Sequence, residues 1–226
     1  MRKPRLVIWD WNGTLQNDAM YMYERGVRGI FRHFNLPCPP FARYRKEISH
    51  NYKEFYQRHG IPSHITNDDL NTIFLAGLRK DQERADLFPD ARDTLREMAS
   101  IVEMQHLVSG CPDGTLQEEL HFHNLAHAFE RVVGNVCDKA SVFTDLMRAH
   151  GVRGTETLVI GDFSHDAFAA KAAGAQAIIC TRGFHSRPYL ESLGDQLDGV
   201  TIVDNLGEIP RLLSPLTPAL PARSSP

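Results

Sequence analysis

The sequence predicts an α/β protein, with a doubly wound parallel (Rossmann-like) sheet core and an inserted α-helical cap domain. One observation is a set of six apolar runs of strand length, at residues 5–9, 106–108, 131–134, 157–161, 176–180 and 200–203. Helical stretches lie between most of these runs, and such alternation is typical of a parallel sheet covered on both faces. The other observation is that residues 17–86 break the alternation and show only helical spacing. We therefore expect a helical module after the first strand.

The strands and helices of the predicted core follow from local patterns. The first run, RLVIW at residues 5–9, is almost continuously apolar and ends at Asp10, as expected of a buried parallel strand. One helix is predicted from Asp90, its N-cap, to residue 99, and another over residues 141–150, closed by Gly151. These helices cover the sheet in the predicted fold.

The inserted module is predicted to contain three amphipathic helices. Their apolar residues recur every three or four positions: Met20, Tyr23, Val27, Ile30, Phe31 and Phe34, then Phe41, Tyr44, Ile48, Tyr52 and Phe55, then Leu70, Ile73, Phe74 and Leu78. Breakers at residues 37–40 and 60–62 separate the helices, and Gly26 and Gly29 weaken the first. The predicted division is therefore a core of residues 1–16 and 87–213 and a cap of residues 17–86.

Composition excludes several classes of function. The chain has 226 residues and a net charge of −3, which argues against binding nucleic acid by bulk charge. No apolar run approaches the roughly 18 residues of a membrane span, and four scattered cysteines indicate reduced thiols. We expect a cytoplasmic protein without a membrane partner, whose oligomeric state stays open. Residues 214–226 contain four prolines and are predicted to be disordered.

Polar residues follow the predicted strands at the edge where open parallel sheets bind ligands. They are Asp10, Asn12, Gly13 and Thr14 after the first strand, Ser109 and Gly110 after the second, Lys139 ahead of a helix, and Asp162 and Asp166 after the strand at 157–161. Together they supply a carboxylate nucleophile, an ammonium group and two further carboxylates, which suit phosphoryl transfer. Asp10 and Asp162 suit Mg²⁺, which prefers carboxylate, water and phosphate oxygens.

These segments resemble the motifs of the haloacid dehalogenase superfamily of phosphohydrolases. The matching pieces are IWDWNGTL (8–15), HLVSG (106–110), Lys139 and VIGDFSHDAFAAKAAGAQAI (159–178), in the family's order and each at its expected strand or helix. The insertion at 17–86 resembles the family's cap, and FPDARDTLREMA (88–99) resembles its return to the core. The resemblance covers roughly residues 5–213.

The resemblance implies a Mg²⁺-dependent phosphomonoesterase that acts on a small phosphorylated metabolite through an aspartyl phosphate. The roles it implies are nucleophile for Asp10, phosphate binding for Ser109, Gly110 and Lys139, and metal binding for Asp10, Asp162, Asp166 and the main-chain carbonyl of Asn12. Among caps of this kind, phosphoglycolate phosphatase is the nearest resemblance.

Asn12 departs from the family pattern. The resemblance implies an aspartate two positions after the nucleophile, which protonates the leaving oxygen and then activates water. A carboxamide has no titratable proton, so acid–base assistance, typically worth about 10²–10⁴-fold, is not available from this side chain. Replacing Asn12 by Asp is expected to raise turnover if acid catalysis is limiting, and the Asn12–Gly13 pair is prone to deamidation, which would create the carboxylate.

Three interpretations of Asn12 stay open. The chain is a phosphatase in which water or another group, such as His165, moves the proton. It acts on a leaving group that needs no acid, such as an acyl phosphate, an anhydride or a phosphonate, the last through an imine of Lys46 or Lys53. Or it is a phosphate-binding pseudoenzyme with little turnover.

Basic residues of the predicted cap are candidates for contact with the substrate. Arg43, Arg45 and Lys46 lie on a helix whose apolar face is used for packing. If some of them lie over the site, they favour a small phosphorylated acid or a polyanion. The alternative is a solvated helix face.

Overall fold

The computed structural model describes residues 3–49, 51–78 and 84–213. Its six parallel strands are β1 (Leu6–Trp9), β2 (Met104–Val108), β3 (Arg131–Val133), β4 (Thr157–Gly161), β5 (Gln176–Cys180) and β6 (Thr201–Val203). All six predicted strands and the doubly wound α/β fold are thereby confirmed. The tail at 214–226, predicted to be disordered, lies outside the described residues. No helix in the described part of the chain has the length and apolar character needed to cross a bilayer.

The strand order β3-β2-β1-β4-β5-β6 places β1 and β4 side by side at the centre of the sheet. Leu6 aligns with Thr157 and Trp9 with Ile160, so both strands end at the same level. The order of strands reverses between these two, and ligands of open α/β sheets bind at such a point, beyond the carboxyl ends of the strands. Asp10 and Asp162, which follow the two strands, therefore lie at the same edge.

The helices of the core lie on both faces of the sheet. They are α6 (Ala91–Ile101), α7 (Asp113–Phe122), α8 (Lys139–His150), α9 (Ser164–Ala172), α10 (Arg187–Ser192) and α11 (Ile209–Leu213). Val7 and Trp9 join one buried apolar cluster, whereas Leu6 and Ile8 join the other. Alternate residues of β1 thus face opposite layers, which is why its sequence is apolar throughout.

The segment between β1 and α6 is helical, as the periodicity predicts, but it contains one break more than predicted. Its helices are α1 (Ala19–Met22), α2 (Arg28–His33), α3 (Phe41–Glu47), α4 (Tyr52–Arg58) and α5 (Asn67–Leu78), with a π-helical turn at Tyr23–Val27 joining α1 and α2. The prediction of a single helix through Tyr44, Ile48 and Tyr52 is wrong, because Ile48 is buried with extended backbone (ψ 138°) and ends α3.

The π-helical turn contains Gly26, which the sequence indicates only as a weak helix former. A side chain at this position would overlap the ring of Phe74 in α5. Gly77 of α5 in turn lies against the carbonyl oxygen of Arg25. The glycines therefore allow α5 to pack closely against the π-helical turn.

Candidate active site

Three buried carboxylates meet at the carboxyl edge of the central strands. Asp10 follows β1, Asp162 follows β4, and Asp166 lies in the first turn of α9. One oxygen of each lies within 4.8 Å of the others, and the three residues are 8%, 1% and 1% exposed. The strand order thus brings together carboxylates that are about 150 positions apart in the chain.

Lys139 places an ammonium group among these carboxylates. Its Nζ donates hydrogen bonds to Oδ1 of Asp10 at 2.7 Å and to Oδ1 of Asp166 at 2.6 Å. Burial opposes the charge on Lys139, but the two carboxylates outweigh this and raise its pKa above the ordinary value. Lys139 is the first residue of α8, whose N-cap Asp138 accepts a bond from the Ser141 N–H, so the lysine's position is fixed by that helix.

The second side of the cluster is formed by uncharged donors. The Thr14 hydroxyl lies 3.4 Å from Oδ2 of Asp10 and 3.2 Å from Oδ1 of Asp162, and the Phe184 N–H donates to Asp162. A side chain at Gly183 would overlap Asp162, so the loop after β5 can approach the carboxylate only with glycine there. Sequence analysis did not single out this loop, because it contacts Asp162 through a main-chain N–H rather than through a side chain of a motif.

The three carboxylates have one ammonium group to balance them. Burial raises the pKa of Asp10 to about 6, against the lowering effect of Lys139, and burial with the neighbouring carboxylates raises the pKa of Asp162 well above its ordinary value. Each shift shows that a negative charge is unfavourable on these buried carboxyls, and the neighbouring carboxylates add to the effect. A divalent cation would offset that charge, and an all-oxygen donor set is the one that Mg²⁺ prefers.

Asn12 connects the cluster to the start of α1. Its amide nitrogen donates to Oδ2 of Asp18 at 2.5 Å and to Oε1 of Gln16 at 3.3 Å, and its amide oxygen lies 3.4 Å from the Ser109 hydroxyl. That hydroxyl also accepts a hydrogen bond from the Cys111 N–H at 3.1 Å. Both the nitrogen and the oxygen of the Asn12 amide group therefore have hydrogen-bond partners, which fix the side chain in place.

Asp18 is a buried acid that sequence reasoning missed. It is 2% exposed, and besides Asn12 it binds the Gly13 N–H at 2.7 Å. Burial raises its pKa to about 7, although both hydrogen bonds lower it. In sequence an aspartate ahead of a helix indicates an N-cap. Here the Asp18 side chain makes no capping hydrogen bond and instead faces back to the turn after β1.

The predicted cap residues make no hydrogen bond to the carboxylates in the described part of the chain, although Arg45 lies near enough to Asp162 to interact with its charge. The Arg45 guanidinium donates to the carbonyl oxygens of Thr181 (2.5 Å) and His185 (2.9 Å). Arg43 pairs with Glu47 at 2.6 Å on the surface, and Lys46 is exposed. Contact of these three residues with substrate stays a prediction. Gly110, predicted to bind phosphate, is exposed directly after Ser109.

His185 joins the cap helices to the core. Its Nδ1 accepts a hydrogen bond from the Ser164 N–H at 3.0 Å, so Nε2 carries the proton and donates to the Ile48 carbonyl at 2.9 Å. Its ring also stacks on Phe163, with centroids 3.9 Å apart. This contact explains the break in the predicted second helix, because the Ile48 carbonyl is bound by the core rather than by its own helix.

Two buried histidines are expected to lower the free energy of unfolding in acid, an effect opposite in sign to that of the buried carboxylates of Asp10 and Asp18, whose raised pKa values favour the folded state as pH falls. Burial lowers the pKa of both His106 and His185 to about 4, against 6.5 ordinarily, so both are neutral when folded. As pH falls below 6.5 the unfolded chain binds protons that the folded chain does not, which costs about 2 kcal/mol per histidine by pH 5. Urea unfolding of wild type and His106→Gln at pH 7 and pH 5 checks this. The same change in the free energy of unfolding between the two pH values in both proteins would contradict it.

A lysine-bridged cluster of carboxylates at the switch point of a doubly wound sheet defines a phosphoryl-transfer hydrolase. A family model described as haloacid dehalogenase-like hydrolase matches residues 7–180. The chain belongs to this family, and it is a hydrolase of the phosphatase type.

Curated relatives of the chain are named as phosphatases, and a solved structure shares its fold. The chain is 28% identical over 206 residues to a phosphoglycolate phosphatase of Aliivibrio fischeri, covering 84% of this chain and 90% of that protein. It is 23% identical to phosphoglycolate phosphatase 1 of Pseudomonas aeruginosa, covering 92% and 79%. A crystal structure described as a predicted phosphoglycolate phosphatase from Haemophilus somnus shares the fold, with a TM-score of 0.72, 20% identity and coverage of 95% and 100%.

Proposed function

We propose that the chain is a Mg²⁺-dependent phosphatase of small phosphorylated metabolites, with Asp10 as the nucleophile. The observation that carries the proposal is the buried Lys139 ammonium, held between Asp10 and Asp166 beside Asp162. Such a site offsets the charges of an attacking carboxylate and a phosphate. The similarity to phosphoglycolate phosphatases supports the same reaction. Four free cysteines support the cytoplasmic location included in the proposal.

The residues present fit a magnesium ion. The carboxylates of Asp10 and Asp162 and the main-chain carbonyl of Asn12 would hold it, with Asp166 supporting the cluster through Lys139. When bound, Mg²⁺ would neutralise charge on the phosphoryl oxygens.

In the proposed reaction, an Asp10 carboxylate oxygen forms a bond to phosphorus while the bond from phosphorus to the ester oxygen breaks, and the ester oxygen leaves with the electron pair and takes a proton from water. Lys139, the Ser109 hydroxyl and the Gly110 N–H bind the phosphoryl oxygens. Water then attacks the aspartyl phosphate, which returns the Asp10 carboxylate and releases inorganic phosphate. Residues 17–86 act as a cap over a core of residues 1–16 and 87–213, since the Arg45 and His185 contacts dock their helices beside the site.

The direct test is phosphate release from a panel of phosphate esters that includes phosphoglycolate, with Mg²⁺ or with a chelator. We expect turnover of some esters and its loss on chelation. The exposed Lys171→Ala is the control and is expected to behave as wild type. The absence of turnover from the whole panel would overturn the phosphatase and favour the phosphate-binding alternative.

The contact of Asn12 with Asp18 changes the expected effect of the Asn12→Asp substitution. A carboxylate at position 12 would lie 2.5 Å from Oδ2 of Asp18, where two negative charges cannot both persist. The single variant is therefore expected to be less stable, by about 1–3 kcal/mol, and no faster. The double variant, Asn12→Asp with Asp18→Asn, places the carboxyl at position 12 and the amide at position 18. The hydrogen bond between the two side chains is kept. That double variant is expected to hydrolyse alkyl phosphates about 10²-fold faster than wild type.

Steady-state kinetics and urea unfolding of both single variants and the double variant check this account. Asp18→Asn alone is the control, because it removes the carboxyl without supplying one at position 12. A single Asn12→Asp variant that is as stable as wild type and faster than the double variant would contradict the account.

A further inference from the structure

A cavity of about 290 Å³ adjoins the carboxylate cluster. It lies between the helices of residues 19–78 and the core, where Phe163 and Phe184 form its wall. The Phe163 N–H donates to Oδ2 of Asp166 at 3.2 Å, and the Phe184 N–H donates to Asp162. The two residues that form the wall therefore contact the carboxylates through their own main chain. An ester whose phosphate lies at Asp10 therefore has its alcohol portion beside this cavity.

The described lining of the cavity is aromatic and uncharged. Six of its twelve residues are aromatic (Tyr44, Tyr52, Tyr56, Phe74, Phe163 and Phe184), and none of the twelve is acidic, basic or histidine. Tyr44 and Tyr56 are 5% and 3% exposed, and neither hydroxyl has a hydrogen-bond partner in the described part of the chain. Both residues line the cavity, so their hydroxyls are available to hydrogen-bond a polar substituent of a ligand.

None of the described lining residues offers a cation to an anionic alcohol portion. Arg45 donates from Nη2 to the carbonyl oxygens of Thr181 and His185, and it is not one of the residues that line the cavity. Arg43 is paired with Glu47 on the surface. A carboxylate such as that of glycolate would be buried here without a cation, which is strongly unfavourable. An uncharged ring would instead bury apolar area against six aromatic side chains.

Asn12 favours the same kind of leaving group. A phenol ionises near pH 10, about five units below water, so a phenolate departs without the proton that an alkoxide needs. The volume of the cavity also fits an aromatic ring, because an engineered apolar cavity of about 150 Å³ binds benzene. The cavity here is about 290 Å³, enough for one or two fused rings with small substituents.

We propose that the substrate is an aryl phosphate monoester whose uncharged aromatic portion occupies this cavity; the inference rests on the proposed phosphatase function. Attack by Asp10 forms the bond to phosphorus and breaks the bond between phosphorus and the aryl oxygen. The phenolate leaves with the electron pair and takes a proton from water, and hydrolysis of the aspartyl phosphate restores Asp10.

The test compares kcat/KM for 2-naphthyl phosphate, phenyl phosphate and phosphoglycolate in wild type and two variants. Asn71→Arg adds a cation to the cavity wall at an exposed position, and Thr72→Arg adds one to the same helix outside the wall. We expect wild type to prefer 2-naphthyl phosphate over phosphoglycolate by about 10-fold or more. Asn71→Arg is expected to reduce that preference by about 10-fold, and Thr72→Arg to leave it unchanged.

A higher kcat/KM for phosphoglycolate than for both aryl esters would overturn the inference while the phosphatase function stands. An equal effect of Asn71→Arg and Thr72→Arg would also overturn it. If no ester is hydrolysed, the proposed function fails, and calorimetric binding of the esters to Asp10→Asn decides the inference separately. Tighter binding of 2-naphthyl phosphate than of phosphoglycolate supports the aromatic cavity as the binding site, and equal or weaker binding overturns it.

Discussion

Replacing Asp10 by Asn is expected to reduce phosphate release by about 10⁴- to 10⁶-fold, the range observed when an enzyme loses its nucleophile. The carboxamide is close to the carboxylate in shape, and its oxygen can still accept the hydrogen bond that Lys139 donates to Oδ1 at 2.7 Å. The variant is therefore expected to fold, so that the loss reports chemistry rather than unfolding. Steady-state phosphate release with Mg²⁺, together with urea unfolding, measures both effects.

Asp145→Asn is the matched control for this substitution. Asp145 lies on the exposed side of α8 and pairs with Arg148 at 3.0 Å, away from the carboxylate cluster. We expect wild-type kinetics from it. If Asp10→Asn retained more than about a hundredth of wild-type turnover, Asp10 would not be the nucleophile.

The second large effect is expected from Lys139→Met. The substitution leaves Asp10 and Asp166 buried without their shared ammonium group, within 4.8 Å of Asp162. Removing one partner of a buried ion pair costs about 3–5 kcal/mol, because the remaining charge stays buried. Turnover is expected to fall as well, since the same ammonium is proposed to bind phosphate. Urea unfolding and phosphate release measure the two losses.

Lys171→Met is the control, because Lys171 is exposed at the end of α9. It is expected to change the free energy of unfolding by less than about 0.5 kcal/mol. A Lys139→Met protein as stable and as active as this control would show that the bridge between the carboxylates is not needed for the fold or the site.

The core of this protein is predictable from sequence because its determinants are local. Each strand is a short apolar run, and a polar residue such as Asp10 or Asp162 marks the end where a ligand binds. Once the strands alternate with helices, the parallel arrangement and the meeting of these two carboxylates follow from topology.

Features that depend on contacts between distant segments were not predictable. The helical periodicity of residues 41–55 continues through Ile48. However, the carbonyl oxygen of Ile48 accepts a hydrogen bond from His185, 137 positions away, and α3 ends at this point. Arg45 donates to the His185 carbonyl oxygen, 140 positions away, and no local pattern indicates that contact. Asp18 has the sequence signature of an N-cap but binds the amide of Asn12. In each case a buried polar partner outweighs the local preference.

The apolar cavity and the amide at position 12 concern the same step of the reaction, the departure of the alcohol. Without a carboxyl at position 12, the alcohol that leaves best is one that ionises readily. An aromatic alcohol meets that requirement, and the cavity wall of Tyr44, Tyr56, Phe74, Phe163 and Phe184 is chemically matched to it. The departure from the family pattern and the lining of the cavity therefore support one substrate class.

The most direct test of the central claim, that Asp10 becomes phosphorylated, is rapid-quench peptide mass spectrometry during turnover of an aryl phosphate. The proposed mechanism predicts a phosphoryl group on the peptide that contains Asp10, formed as fast as the phenol is released and absent from Asp10→Asn. A phosphoryl group on Ser109 or Thr14 instead, or release of phenol with no phosphorylated peptide at any time, would contradict it.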